Sequence, residues 1–209
     1  MLLDPIEQWL RSLGAIAGLA TLAIALVAIF KSLRQPAGRE ERGARFALRI
    51  PVLLLATFLF LGVGALLWHP LLLDVPAGLR AILLLVGGVL FFGGLALYLW
   101  GLRCLGQMFG PSSGFGIRLH VAHRLVTAGP YAHIRHPMYL AVIGAGIGSF
   151  LLYRTWAALG FAIIMLGLVV RARREEKVLA EEFGPEWKVY TSRVPAWFPQ
   201  LWGKRKNGT

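Results

Sequence analysis

Five apolar runs constrain this chain more than any other feature. A helix that crosses the hydrocarbon core of a bilayer needs about 20 apolar residues. Leu13 to Phe30, Ile50 to Trp68 and Ala81 to Leu102 reach about that length without a charged residue. Two shorter runs, Met138 to Tyr153 and Thr155 to Val170, are divided by Arg154. This pattern predicts an all-α polytopic integral membrane protein with about five transmembrane helices, the last two a short helical hairpin. Arms of about 16 residues rise only about 24 Å at 1.5 Å per residue. Three spans plus a re-entrant hairpin is therefore the alternative.

Charged residues make up only 15% of the chain, against about 25% in soluble domains. The net charge of +12 could suggest nucleic acid, but its placement points elsewhere. The connection Lys31 to Arg49, the connection Arg103 to Arg135 and the tail from Arg171 hold 19 of the 22 lysines and arginines. The other three are Arg11, Arg80 and Arg154. These groups alternate as the positive-inside rule requires for five crossings. The expectation is an outside N-terminus and a cytoplasmic C-terminus, in the inner or plasma membrane if the source is bacterial. The basic excess then records topology and attraction to membrane lipids, with no nucleic-acid partner.

Asp4 and Glu7 lie where a signal peptide would be basic, so the first run reads as a span. The one cysteine, Cys104, excludes an internal disulfide and reads as a small packing residue. Gly87, Gly88, Gly93 and Gly94 suit close helix contacts, and Gly144, Gly146 and Gly148 suit packing between the hairpin arms. The connection KSLRQPAGREERGAR reads as a solvated loop. Residues 1–102 form an N-terminal part of three spans with a basic loop. Residues 103–209 form a C-terminal part with the polar motifs. In that part, Arg171 to Phe183 predicts a helix that continues the last arm and stops at Gly184-Pro185. A second short helix, Glu186 to Ser192, precedes Pro195. Trp197, Phe198 and Trp202, followed by Lys204, Arg205 and Lys206, suggest a tail resting at the interface.

Three polar groups carry chemistry. His120, His123, His133 and His136 could ligate zinc, but no carboxylate lies near them in sequence, and no metal site is assigned. In RHPMY, Pro137 fits a first helical turn. The terminus behind it favours a carboxylate or phosphate, with Arg135, His136 and Tyr139 around the same place. Arg171 and Glu175 lie four apart and could pair, with Glu176 beside them at the depth of RHPMY. A capped helix and a solvated ion pair are the plain readings of the last two.

GPY-x-x-x-RHP-x-Y, R-x-x-x-EE-x-x-L and FG-x-x-W-x-x-Y with R-V-P, taken in order over Leu125 to Pro199, resemble the isoprenylcysteine carboxyl methyltransferase family. Related membrane methyltransferases, phospholipid methyltransferases among them, share much of the pattern. Trp187 departs from it, standing where the family commonly has tyrosine. The resemblance implies S-adenosylmethionine as cofactor, held outside a Rossmann fold, and the chain indeed lacks a G-x-G-x-x-G between strand and helix. Carried over, Gly129, Pro130, Tyr131, Arg135, His136, Pro137 and Tyr139 hold the cofactor, and Glu175 and Glu176 close it. Arg193, Arg171 and Glu176 are the catalytic candidates, Arg193 being preferred as the cation that aligns a carboxylate acceptor. An amine acceptor would instead need a Glu or His base. The implied partner is a lipophilic acceptor that reaches the site from the bilayer, and its identity stays open. A small transporter is disfavoured, because the spans carry no charge in their middle thirds. A purely structural membrane protein leaves the three ordered blocks without a reason.

Overall fold

The computed structural model describes residues 3–34, 37–40, 49–109, 118–120 and 124–199. Its helices are α1 (Leu3–Leu33), α2 (Ile50–Leu66), α3 (Ala77–Leu105), α4 (Pro137–Tyr153), α5 (Trp156–Leu166) and α6 (Leu168–Arg193). Two short strands, β1 (Ala37–Glu40) and β2 (Arg118–His120), and two 3-10 turns, Gly106–Met108 and Gly129–Ala132, complete the described elements. Three helical stretches are long and apolar enough to cross a membrane: α1, α3, and α5 continued into α6. α2 and α4 are apolar but shorter, at 17 residues each.

The core is the contact between α3 and α4. Gly87 and Gly94 lie two helical turns apart on the face of α3 that meets α4. A β-carbon at Gly94 would stand 2.6 Å from the Ala141 carbonyl oxygen, and one at Gly87 would stand 2.9 Å from Leu151 Cβ. On α4, Gly148 lies against the backbone of Phe91. Each glycine pair on α3 thus gives one residue to this contact, while a β-carbon at Gly93 would meet none of the described residues within 4 Å. The glycines of α4 divide differently from the sequence expectation. Gly146 packs on Ala162 and Phe161 of α5, but Gly144 and Gly148 face α3. Helices that approach this closely gain dispersion contact that lipid alone does not supply.

Three boundaries differ from the sequence reading. α1 starts ten residues before its apolar run, with Asp4 in its first turn, where a carboxylate suits the helix dipole. The loop expected between Lys31 and Arg49 holds β1, which pairs antiparallel with β2 of the second connection. The stop at Gly184-Pro185 is a kink inside α6. Gly184 has φ 47° and ψ −114°, a conformation that only glycine adopts cheaply, and helix resumes after it. His123, Trp202, Lys204, Arg205 and Lys206 lie outside the described residues.

The bundle has two distinct ends. At one, the hairpin tip between α4 and α5 is tied to the connection after α2: Leu71 N–H donates to the Arg154 carbonyl at 2.8 Å and Trp156 N–H to that of His69 at 3.1 Å. Arg11, Arg80 and Arg154, grouped on one side by the charge count, meet there at Glu7. At the other end, the start of α4, the end of α3 and the length of α6 surround a cavity.

Candidate active site

The cavity begins with the turn before α4. Gly129 has φ 62°, and a β-carbon there would stand 2.4 Å from Cys104 Sγ. Pro130 lies in the first positions of the 3-10 turn Gly129–Ala132, in which it and Tyr131 are buried. The buried Tyr190 hydroxyl donates to the Tyr131 carbonyl at 2.7 Å, so α6 holds this turn from behind. Burial pushes the Tyr131 phenol well above its ordinary value and the Tyr190 phenol up to about 12, so both remain neutral donors.

Arg135 and His136 are fixed by an element that sequence alone did not pair with them. Arg135 N–H donates to the Pro195 carbonyl at 2.9 Å, and His136 N–H donates to the Ala196 carbonyl at 3.1 Å. Trp197 then lies tilted on the His136 ring, 5.5 Å between centroids. The R-V-P block therefore works through its backbone and through Val194, which is buried against Trp187 and Tyr190. Arg193, the preferred aligning cation, is exposed and does not line the cavity. The chain turns inward at Val194 and leaves the preceding side chain outside. Arg171 does line the cavity.

Two linked polar groups follow. His136, only 5% exposed, has Nε2 3.0 Å from Glu176 Oε1. The carboxylate accepts, so the ring proton sits on Nε2 in the neutral form. Arg135 Nη2 lies 3.2 Å from the same oxygen, and its guanidinium rests over Trp187 at 5.8 Å. The hydrogen bond from His136, then the charge of Arg135, holds the Glu176 carboxyl below its ordinary range against the opposing effect of burial. In the second group, the Tyr139 hydroxyl donates to Glu175 Oε2 at 2.5 Å and accepts from Arg171 Nε at 2.9 Å. The expected Arg171–Glu175 pair is thus bridged through Tyr139. The His136 and Tyr139 rings stack 5.6 Å apart, 7° from parallel, which joins the two groups into one wall.

The cavity holds about 340 Å³. Tyr131, Arg135, His136, Pro137, Tyr139, Arg171 and Glu175 all line it, whereas Glu176 stands behind His136. Part of its lining is apolar and comes from α1, α3, α4 and α6, through Ile29, Leu105, Val142 and Leu168. Among the described residues, the buried guanidinium nitrogens Arg135 Nε and Arg171 Nη2 have no hydrogen-bond partner. A buried donor left unpaired costs about 1–3 kcal/mol, so both favour an anionic group. Trp187, Tyr190, Trp197 and Arg124 escaped the sequence selection. The W-x-x-Y spacing was visible, but only the fold turns both residues toward RHP.

A helical, membrane-type bundle with a cavity of polar and apolar lining at one end, built by these ordered blocks, belongs to the class of membrane methyltransferases. The chain itself is a member of the phospholipid methyltransferase family, whose sequence model matches residues 82–186, just over half of it. It is similar to the cobalt-zinc-cadmium resistance protein CzcN of Cupriavidus metallidurans, 39% identical over 82 residues, or 37% of this chain and 36% of that protein. The nickel-cobalt-cadmium resistance protein NccN of Alcaligenes xylosoxydans xylosoxydans is also 39% identical over 82 residues, covering 37% of each chain. Protein-S-isoprenylcysteine O-methyltransferase B of Arabidopsis thaliana is 33% identical over 85 residues, 40% of this chain and 43% of that one. Each match thus spans well under half the length of the curated relative.

Proposed function

We propose that the protein is an S-adenosylmethionine-dependent methyltransferase acting at the cytoplasmic membrane face on the carboxylate of an isoprenylcysteine-like or other lipophilic acceptor. The observation that carries this reading is the divided cavity. Part of its lining offers Arg135, His136, Tyr139, Arg171 and Glu175, and another part offers mostly apolar side chains from membrane-type helices. A soluble substrate would gain nothing from the apolar wall. A lipid tail would gain about 0.8 kcal/mol for each methylene it buries.

The donor set fits the cofactor. Its carboxylate suits the unpartnered Arg135 Nε and the start of α4 behind Pro137. Its cationic ammonium and sulfonium suit Glu175 and the faces of Tyr139 and Trp187. The Gly129-Pro130-Tyr131 turn and His136 complete the pocket, and Glu176 sets the orientation of His136. When bound, the cofactor supplies an electrophilic methyl group on sulfur.

Arg171 then takes the aligning role first given to Arg193. Its buried Nη2 would hold one carboxylate oxygen of the acceptor while the other oxygen faces the methyl carbon. Held this way by Arg171, that oxygen would be free to take the methyl group that the cofactor supplies, the carbon–sulfur electron pair leaving with sulfur. A carboxylate is already ionised and needs no base, so the residues contribute alignment and a dry wall against which charge is neutralised. The catalytic work falls to residues 103–209, with Tyr98 and Ile29 from the N-terminal part closing the apolar side.

A phospholipid amine is the second reading, favoured by the matching family. Glu175 would then accept the proton through Tyr139. In both readings the N-terminus is outside and the C-terminus cytoplasmic. Isothermal titration of the detergent-purified protein tests cofactor use: S-adenosylmethionine should bind, and His136→Ala or Glu176→Ala should weaken it. No binding overturns the proposal. Radiolabelled methyl transfer into membrane extract, followed by base hydrolysis, separates a methyl ester from a methylated amine.

A further inference from the structure

The helices that wall the cavity at one end assemble a second charged group at the other. Glu7 of α1 is only 3% exposed, and its carboxylate pairs with Arg11, Arg80 and Arg154. Asp4 pairs with Arg80 at 2.7 Å. Arg11 Nε also donates to the Leu152 carbonyl at 2.9 Å, and Arg154 Nη1 to that of Leu151 at 3.5 Å. These cations therefore sit on the C-terminal carbonyls of α4, the negative end of its dipole. Among the described residues, three guanidiniums meet two carboxylates, which leaves one positive charge. It is accessible, because the Arg11 and Arg80 side chains are 35% and 30% exposed.

The depth of this group is marked by aromatics. Trp9 beside Glu7, Trp68 after α2 and Trp156 at the start of α5 are all exposed. Tryptophans ringing one end of a membrane bundle lie at the headgroup level. Arginines at that level keep their stems among apolar groups and turn their heads toward phosphate. Exposed Ile6 and Leu72 stand by the same ring and suit acyl chains. The charge also discriminates: a lipid of net charge −1 matches the surplus, whereas the ammonium of a zwitterionic lipid does not.

We infer that the Arg11–Arg80 side of this cluster is a binding site for one anionic phospholipid, taking its phosphodiester between the two guanidiniums at the membrane face opposite the candidate active site. It stands apart from the methyl-transfer reading and does not depend on it.

The test uses the full chain purified in neutral detergent and titrated with phosphatidylglycerol, phosphatidylcholine or sodium phosphate, read by thermal shift and by native mass spectrometry. Phosphatidylglycerol should stabilise the protein and stay bound, and phosphatidylcholine should do neither. Asp4→Asn changes an exposed side chain and raises the local charge by one. It should tighten phosphatidylglycerol about three- to fivefold, the size of one basic charge near a membrane surface. Arg80→Gln should weaken it by a similar factor. Because Arg80→Gln also disturbs Glu7, Asp4→Asn keeps the test decisive if that variant misfolds. Equal effects of the two lipids, or unchanged phosphatidylglycerol affinity in Asp4→Asn, overturn the site. Equal competition by sodium phosphate overturns the lipid as its occupant.

Discussion

Glu176 Oε1 stands 3.0 Å from His136 Nε2, although 40 residues separate them. This contact joins the charged extension of the last helix to the mouth of α4. It also sets the pH response. The Glu176 carboxyl is held below its ordinary value of 4.5, so in acid the unfolded chain binds more protons than the native one. The stability that it contributes is full above 4.5 and is lost as pH falls through the depressed native value. Glu176→Gln should lower stability by about 1–3 kcal/mol at neutral pH, as for other hydrogen bonds to charged groups. Thermal midpoints of wild type and variant should converge as pH falls below 4.5 and through the depressed native value, where the carboxylate becomes protonated. A constant gap from pH 7 down to pH 3 would assign the effect to packing rather than to this charge.

Arg171 and Arg193 separate two accounts of the aligning cation. Arg171→Gln should leave S-adenosylmethionine affinity within a few-fold and cut methyl transfer about a hundredfold, near the 2.7 kcal/mol that one oriented donor contributes in a transition state. Arg171→Lys should recover only part of that, since a point charge does not reproduce the planar fork. Arg193→Gln should stay within about twofold, as expected of an exposed side chain away from the site. Rates measured with labelled cofactor, beside titration of the same variants, check both halves. The reverse ranking would restore Arg193.

The helices were legible in the sequence because uncharged runs longer than about 18 residues have few other solutions. The polar part of the cavity lining was legible in part. Pro137, Gly129-Pro130 and the Glu175-Glu176 pair carry local signals of turn, cap and charge. The partners of those residues carry none. Nothing local says that the Pro195 and Ala196 carbonyls receive the N–H groups of Arg135 and His136, because backbone acceptors look alike at every position. Sequence also carried no sign that the Arg193 side chain stays exposed and away from the cavity lining. A cation in an ordered motif draws attention, yet here the motif acts through the residues that follow it. The Glu7 cluster was hidden for a related reason, since its members come from three separate parts of the chain.

Gly129 combines two constraints that a pair of variants can separate. Gly129→Ala forces an alanine to φ 62° and drives its β-carbon into Cys104 Sγ at 2.4 Å. The left-handed conformation alone costs about 1–2 kcal/mol. Gly129→Ala should therefore destabilise the protein by more than that and weaken the cofactor through the displaced Tyr131 turn. Adding Cys104→Ala removes the sulfur and should return the steric share only. Full recovery in the double variant would show that the conformation of Gly129 has no cost, against its positive φ.

The α3–α4 contact should prove as selective as its glycines suggest. Gly148→Ala places a methyl 2.4 Å from the backbone nitrogen of Phe91, an atom that no rotamer change can move. Gly94→Ala meets the Ala141 carbonyl at 2.6 Å, again backbone. Each should push α3 away from α4 and cost about 1–3 kcal/mol, the range for overpacked cores. Gly93→Ala, one residue along but facing open space, should be neutral or slightly stabilising through better helix propensity. The shift matters beyond stability, because α3 carries Leu105 and Tyr98 to the apolar side of the cavity. Melting of the three variants in one detergent, with titration of S-adenosylmethionine, checks the order. Equal melting of Gly93→Ala and Gly94→Ala would remove the basis for this helix pairing.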